Sequence, residues 1–153
     1  MASKSSQKLV DKGWNRIQRD TAKLSRLYVD VGIQADAGTD DEGNPIIVRA
    51  VANELGTKNI PERSFVRSAY DEQSIALEKL KARLWGGVID DKLTPDMAAG
   101  FLGQQHETDI KNKIRNGPFV PNSQTTIELK GSSKPLIDTG QMLNSVRYVV
   151  GEK

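Results

Sequence analysis

The spacing of apolar and polar residues predicts a helix followed by a strand near the start of the chain. Over residues 4–26, basic side chains recur every three or four positions, while Trp14, Ile17 and other apolar residues fall on the opposite side. Residues 27–33, LYVDVGI, alternate in polarity and are rich in β-branched side chains. The pattern therefore predicts an amphipathic helix that leads directly into a strand.

An acidic loop and a second helix are predicted next. Residues 36–45 are acidic and interrupted by glycine and proline, which is typical of an exposed loop. Residues 46–56 space their apolar side chains helically and finish at Gly56, which suits the left-handed conformation that ends many helices. A strand over residues 46–51 is the alternative, because IIVRAV is rich in β-branched residues.

Two longer helices are predicted in the middle of the chain. The first covers residues 65–85 and is expected to end or bend at the glycine pair 86–87. The second begins after Thr94, a favourable N-cap residue followed by proline, and stops at the glycine and proline of positions 117–118. The apolar stripe predicted for this second helix consists of Met97, Phe101, His106, Ile110 and Ile114.

The rest of the pattern completes an α+β fold. Residues 116–136 contain prolines, polar residues and a short β-like patch, which predicts an extended arm or a hairpin. SVRYVV, residues 145–150, predicts a closing strand. We therefore expect one domain over residues 1–153, in which a small antiparallel sheet packs against several helices, with a basic amphipathic helix over residues 1–26 and long extended loops.

Composition narrows the candidate chemistry. The chain has no cysteine, which excludes disulfides and thiolate metal sites. Its one histidine, His106, is expected to be packed or partly exposed rather than a metal ligand. No apolar run approaches the roughly 20 residues that are needed to span a bilayer. We therefore expect no metal, no cofactor and no membrane partner.

Charge is segregated along the chain, although the net charge is only +2. Residues 1–26 carry a net charge of +5, and residues 27–62 carry a net charge of −5. Such segregation favours charge-complementary contacts within or between subunits, with a solvated basic face or a nucleic-acid surface as alternatives. The candidate interface residues are Lys8, Lys12, Arg16, Arg19, Asp40, Asp41 and Glu42.

The triplet Asp138-Thr139-Gly140 resembles the catalytic motif of retroviral-type aspartic proteases. Those enzymes also need a flap and a second glycine-containing strand after the triplet, and residues 141–153 are too short to build them. We therefore expect no enzymatic activity. The alternative is structural: Asp138 or Thr139 caps a short helical turn, with Gln141 reaching back in a capping box.

Two segments resemble the virion morphogenesis proteins of tailed bacteriophages, a family of neck, tail-completion and head–tail joining proteins. One is VANELGTKNIPERSFVRSAYDE, residues 51–72, and the other is PLIDTGQMLNSVRYVV, residues 135–150. Their order and separation match the family. The matching positions are Asn53, Glu54, Gly56, Thr57, Pro61, Arg63, Phe65, Pro135, Asp138, Thr139 and Gly140.

The resemblance implies a structural role in the virion. Proteins of this family are α+β subunits that form a ring between the portal or head–tail connector and the tail, and DNA passes through this ring. The implied partners are copies of the same chain in a hexamer or dodecamer, the connector proteins, and the tail terminator or tail tube proteins, with transient contact to genome DNA. The implied location is the virion neck, after assembly in the cytoplasm of the bacterial host, and no cofactor is implied.

Two other functions are alternatives to the neck ring. One is a tail terminator protein at the top of the tail tube. The other is a nucleic-acid-binding module that uses the basic N-terminal helix. Neither alternative requires an enzymatic site.

The motif residues also suggest local roles. Arg63 is expected to pair with Glu54 within the subunit, or else to reach a neighbouring subunit. Phe65 is either a core anchor for the following helix or a plug at an interface. The arm over residues 118–136 and the acidic loop over residues 36–45 are expected to reach outside the subunit.

Overall fold

The computed structural model describes residues 11–131 and 133–153. Within these ranges it contains six helices and one antiparallel sheet of two strands, which confirms the predicted α+β class. In chain order, the elements are α1 (Trp14–Leu24), β1 (Leu27–Ile33), α2 (Ile46–Leu55), α3 (Val66–Ile89), α4 (Pro95–Asn116), α5 (Gln124–Lys130), α6 (Gln141–Asn144) and β2 (Val146–Glu152).

The strand β1 and the helix α2 form where the sequence predicts them. The alternating residues 27–33 are a strand, and the alternative strand over residues 46–51 is wrong because these residues begin α2. α2 ends at Gly56, which has a positive φ of 72°. Of the N-terminal helix predicted over residues 4–26, only residues 14–24 form α1, and the prediction is wrong for residues 11–13, which precede the helix. Lys8 lies outside the described residues.

The sheet joins the first and last strands of the chain and packs on α4. In the antiparallel register, Leu27 lies opposite Glu152 and Ile33 lies opposite Val146. Gly103 of α4 makes this packing possible. A Cβ at that position would lie 2.6 Å from Cδ2 of Tyr148 and 2.9 Å from Cγ1 of a β1 valine, which is closer than real Cβ contacts.

Helix α3 is longer than the sequence predicts, because the glycine pair 86–87 does not end it. Gly86 lies on the exposed side of the helix and Gly87 faces the following turn. A Cβ at Gly87 would lie 2.9 Å from Cδ1 of Leu93, so glycine lets the chain fold back closely onto the last turn of the helix. The pair is a packing feature here, and the helix continues through it to Ile89.

Helix α4 has the predicted ends but a different buried face. The Thr94 hydroxyl accepts a hydrogen bond from the backbone N–H of Met97 at 3.2 Å, and Pro95 is the first helical residue. Met97 and Phe101, predicted in the core, are 47% and 45% exposed, so that part of the stripe is wrong. Ile110 and Ile114 are buried as predicted. The other buried positions on the same face of α4 are Ala98, Ala99 and Gly103, which are spaced as one side of a helix.

The main core lies where α2, α3, α4 and the C-terminal segments meet. Phe65 belongs to this core and is only 1% exposed, which supports the core-anchor alternative for this residue. A second cluster of apolar side chains lies between the end of α3 and the start of α4. The buried residues of the main core are Ile46, Ala50, Phe65, Ala69, Ile110, Ile114, Leu136, Met142 and Val146.

The arm predicted over residues 116–136 contains a helix, and the predicted hairpin is wrong. Ser123 caps α5 by accepting a hydrogen bond from the N–H of Thr126 at 3.3 Å, and Gly131 ends the helix with a φ of 66°. These terminal signals override the β-branched composition of the segment between them. Leu136 is buried in the main core, so the end of the arm is anchored to its own subunit.

Candidate functional site

The two segments that carry the family resemblance come together at one cleft. The cleft has a volume of about 740 Å³ and is closed on a third side by the start of the arm and α5. Amide, hydroxyl, arginine and carboxylate side chains line it together with prolines and aliphatic residues. The motif residues that line it are Asn53, Pro61, Arg63, Pro135, Asp138, Thr139 and Gly140.

Arg63 holds the arm against the body of the protein. The residue is only 6% exposed. Its Nε donates to the carbonyl oxygen of Val120 at 2.9 Å, and its Nη2 donates to the carbonyl oxygen of Pro121 at 3.2 Å and to Oδ1 of Asn122 at 3.3 Å. Its Nη1 donates to Oδ1 of Asn53 at 3.1 Å. The guanidinium of Arg63, which lies in the connector after α2, therefore binds both α2 and the arm.

The predicted ion pair between Arg63 and Glu54 is wrong. Among the described residues Arg63 has no carboxylate partner, and the acceptors of its hydrogen bonds are backbone carbonyls and amide oxygens. Burial lowers the pKa of Arg63 from its ordinary value. A guanidinium stays charged nonetheless, so carbonyl dipoles balance its charge.

Glu54 belongs to α2, but its carboxylate caps the N-terminus of α3. Its Oε2 accepts hydrogen bonds from the backbone N–H groups of Phe65 at 2.7 Å and Val66 at 2.9 Å. Its Oε1 accepts from the N–H of Arg67 at 3.0 Å and from the hydroxyl of Ser64 at 2.8 Å. The first N–H groups of a helix lack intrahelical partners and favour negative charge. A carboxylate on α2 therefore fixes the start of α3.

The connector between α2 and α3 is a tight turn built by the other motif residues. Thr57 Oγ1 accepts from the N–H of Ile60 at 3.0 Å, and its own N–H donates to the Ile60 carbonyl at 2.8 Å. At Gly56 a Cβ would lie 3.0 Å from the backbone nitrogen of Glu62, so only glycine fits there comfortably. The N–H of Arg63 then donates to the Asn53 carbonyl at 2.7 Å, which closes the turn.

The Asp138-Thr139-Gly140 triplet does not cap the next helix as predicted. The N-cap residue of α6 is Gly140 itself, with a φ of 80° and no side-chain cap. Asp138 and Thr139 line the cleft rather than the first turn of α6. Gln141 does not reach back either, because its Nε2 donates to Oδ1 of Asp41 at 2.9 Å.

The acidic loop is organised by Asp40. Its Oδ1 accepts from the backbone N–H groups of Asn44 at 2.8 Å and Glu42 at 3.0 Å, and its other oxygen pairs with Arg49. Asp40 is buried, so its carboxylate is not available to a neighbouring subunit, and this excludes it from the candidate interface. Asp41 and Glu42 are exposed and stay candidates.

These contacts give the loop a pH dependence. The N–H of Asn44, with help from the N–H of Glu42 and the charge of Arg49, holds the pKa of Asp40 below its ordinary value. A carboxyl with a lowered folded-state pKa contributes stability above its unfolded pKa of about 3.9 and loses it as the pH falls through the folded value. Asp40→Asn is therefore expected to destabilise the fold at neutral pH.

The measurement is urea unfolding of both proteins between neutral and acidic pH. The difference in unfolding free energy between wild type and Asp40→Asn is expected to be constant at neutral pH and to shrink below about pH 4. Asp41→Asn is the matched control, because its exposed carboxylate has a hydrogen bond only to Gln141 among the described residues. A wild-type advantage that persists unchanged at the lowest pH contradicts the assignment.

Most of the basic face of α1 is engaged within the chain. Arg16 Nη1 donates to the carbonyl oxygen of Val88 at 2.9 Å, and its Nη2 donates to that of Ile89 at 2.7 Å, at the C-terminal end of α3. Cations are stabilised at helix C-termini, so Arg16 docks α1 onto α3. Lys23 pairs with Asp96 at the start of α4. This internal use argues against a nucleic-acid surface.

Lys12 and Arg19 are the candidate interface cations that are exposed. The Arg19 side chain is 73% exposed, and its Nε lies 3.3 Å from Asp20 of the same helix. Lys12 precedes α1 and is exposed as well. Within the described residues, no ion pair joins either of them to the acidic loop.

His106 is partly buried and packs against Tyr70. Its ring centroid lies 5.6 Å from that of Tyr70, and burial lowers its pKa. Its Nε2 has no hydrogen-bond partner among the described residues. Residues 11–131 and 133–153 also contain no group of three histidine, cysteine or acidic side chains placed to hold a metal ion. None of the helices in those ranges is long and apolar enough to cross a membrane.

The chain was compared with protein-family models, with curated proteins and with solved structures, and none of the three comparisons finds a match.

Proposed function

We propose that the chain is a structural subunit of a tailed-bacteriophage neck, which forms a ring between the portal or connector and the tail and lets DNA pass. What supports the proposal is the meeting of the two family-like segments at one cleft. Arg63 from the first segment and Thr139 from the second line the same cavity, although about seventy residues separate them.

The nature of the cleft fits an assembly protein better than a catalyst. Arg63 and Glu54, two polar motif residues, fix backbone segments to one another. The result is a junction of α2, the start of α3 and the arm. A subunit that fits beside copies of itself needs such a junction more than it needs reactive groups.

The exposed charges offer a way for subunits to meet. Lys12 and Arg19 lie at α1, and Asp41 and Glu42 lie in the acidic loop, all on the surface. A head-to-tail contact between two different patches closes into a ring when the rotation permits it. Charge complementarity would select the partner and set the register.

A charge exchange tests this contact. In a phage or prophage that lacks the gene, complementation with Lys12→Glu/Arg19→Glu is expected to yield at least about tenfold fewer infectious particles than the wild-type gene, because like charges then face each other. Adding Asp41→Lys/Glu42→Lys to the same chain restores opposite charges at each contact and should recover assembly. Plaque counts and negative-stain images of particles provide the measurement.

The control variant is Lys79→Glu/Arg83→Glu, which reverses two charges that are exposed on α3. It should leave the particle yield unchanged. If the first double variant assembles normally, or if the exchange does not restore assembly, the charge contact is wrong. Absence of the chain from purified wild-type particles by mass spectrometry would overturn the neck proposal itself. Particles made without the gene separate the two structural roles, since filled heads without tails indicate joining and tails of abnormal length indicate a terminator.

A further inference from the structure

One edge of the sheet has no strand beside it among residues 11–131 and 133–153. The N–H of Lys153 donates to the Arg26 carbonyl at 3.0 Å, so in the observed register the even-numbered residues of β1 form the hydrogen-bonded pairs with β2. The backbone groups of Leu27, Val29, Val31 and Ile33 therefore point to the opposite edge. None of them has a hydrogen-bond partner among the described residues.

The other edge of the sheet is protected. Tyr148 lies opposite Val31, so its N–H points away from β1. That N–H donates to Oε2 of Glu107 on α4 at 3.2 Å, which places a carboxylate against the outer edge of β2. The edge of β1, in contrast, is seven residues long and contains neither proline nor lysine. Long unguarded edges are templates for pairing with another chain.

An apolar groove of about 230 Å³ lies beside the first three residues of β1, at the N-terminal end of this edge. Leu27 and Val29 of β1 lie on one side, and Lys81 and Trp85 of α3 lie on the other. The small side chains of Ala98 and Ala99 on α4 lie between them. The groove therefore occupies the position of a third strand, which would lie next to β1 and over α4.

Asp30 adds a charge to this surface. It is exposed in the middle of β1, and the residue opposite it on β2 is Val149. No ion pair engages Asp30 within the described part of the chain. A basic residue on the neighbouring position of an added strand would lie beside this carboxylate, and cross-strand pairs of opposite charge are stabilising.

We propose that the groove binds an extended segment of a different polypeptide, which adds to β1 as a third strand. Alternate residues of this segment are apolar and fill the space over α4 between Leu27 and Trp85, and a lysine or arginine on the opposite face, where Tyr28 and Asp30 lie, pairs with Asp30. Main-chain hydrogen bonds provide affinity and the groove provides selectivity, as in other cases of strand addition. This site does not depend on the chain being a neck protein.

A second copy of this chain fits the groove less well than a separate segment. If the β1 strands of two copies paired about a two-fold axis at the middle of the strand, Asp30 of each copy would lie opposite Asp30 of the other, and like charges directly opposite each other are destabilising. The extended stretch over residues 118–122 contains two prolines, which lack the N–H that a ladder needs, and Arg63 binds its carbonyls. Neither segment is free to act as the third strand.

Trp85 gives a direct readout of the site. Trp14→Phe removes the other tryptophan, which is 64% exposed, and leaves Trp85, which is 51% exposed, as the reporter. The probe is a peptide of the length of β1 that alternates valine with threonine and has one central lysine in place of a threonine. Binding is expected to shift Trp85 emission to the blue in a saturable titration.

Two changes to the probe and one to the protein make the test specific. N-methylation at alternate positions gives two peptides, of which the one methylated on the side facing β1 should lose binding while the other keeps it. Asp30→Lys should weaken the lysine peptide about fivefold and strengthen the matching glutamate peptide by a similar factor. Thermal unfolding and far-UV circular dichroism of the variant verify that it is folded.

Three results would overturn the proposal. The first is absence of saturable binding of the lysine peptide at millimolar concentration. The second is equal tolerance of both N-methylated peptides, because pairing with a strand edge requires one of the two N–H sets. The third is sedimentation showing a wild-type dimer that the peptide dissociates, because the occupant is then a second copy.

Discussion

Replacing Arg63 with alanine is expected to lower the free energy of unfolding by about 3 kcal/mol and to release the arm from the body of the protein. The substitution removes hydrogen bonds to two backbone carbonyls and two amide side chains. Hydrogen bonds to charged groups contribute about 1.5–3 kcal/mol each, and their losses are not additive. Urea unfolding followed by circular dichroism measures the total effect.

The release of the arm is a separate readout. Hydrogen exchange at residues 119–123 should accelerate in Arg63→Ala, while exchange in the middle of α4 should follow only the change in global stability. Arg63→Lys keeps the charge but has no planar fork, so it should recover less than half of the lost stability. Arg83→Ala is the matched control on an exposed arginine. If Arg63→Ala is as stable as wild type and its arm stays protected from exchange, Arg63 does not hold the arm against the body of the protein.

Replacing Glu54 with alanine is expected to cost about 2–3 kcal/mol of unfolding free energy. The backbone N–H groups of Phe65, Val66 and Arg67 then lose their acceptor at the start of α3. Ordinary N-caps contribute about 0.5–2 kcal/mol, and this one is charged and satisfies several donors at once. Urea unfolding gives the magnitude, and amide exchange at these three residues shows where the helix frays.

Two further variants of α2 and α3 test the nature of this cap. Glu54→Gln keeps one acceptor oxygen but loses the negative charge, so its unfolding free energy should lie between those of wild type and Glu54→Ala. Glu78→Ala removes an exposed carboxylate that pairs with Lys81 on α3, and surface pairs of this kind contribute less than about 1 kcal/mol. If the losses for Glu54→Ala and Glu78→Ala are equal, Glu54 does not cap α3.

The parts of the fold that the sequence predicts well are those with local signals. β1 follows from alternation within seven residues, and the start of α4 follows from Thr94 and the proline after it. α5 shows how local signals compete. Its β-branched residues favour a strand, but Ser123 and Gly131 fix the two ends of a helix.

The interactions at the cleft escape prediction because they join residues that are distant in sequence. Glu54 lies eleven residues before Phe65, so no helix-capping pattern contains both. Arg63 finds its acceptors fifty-seven residues or more away at the arm, apart from Asn53. The sequence singles out Arg63 and Glu54 as motif residues, but their hydrogen-bond partners depend on tertiary packing.

Gly87 and Gly103 also have roles that local sequence does not predict. The pair at 86–87 has the composition of a helix end, yet only the approach of Leu93 explains why Gly87 lacks a side chain. The sequence of α4 likewise gives no reason for a glycine at position 103, and the reason is the close contact of this position with Tyr148. In both positions the side chain that matters belongs to another part of the fold.

The pairing of β1 with β2 has a consequence for the order in which the protein acquires its structure. Ile33 and Val146, at the near ends of the two strands, are more than a hundred residues apart, so their pairing closes a very long loop. The hairpin of α3 and α4 involves only neighbouring segments and is able to form earlier. β2 follows the described helices in the chain and leaves the ribosome after them, so the sheet closes only after these helices have been synthesised.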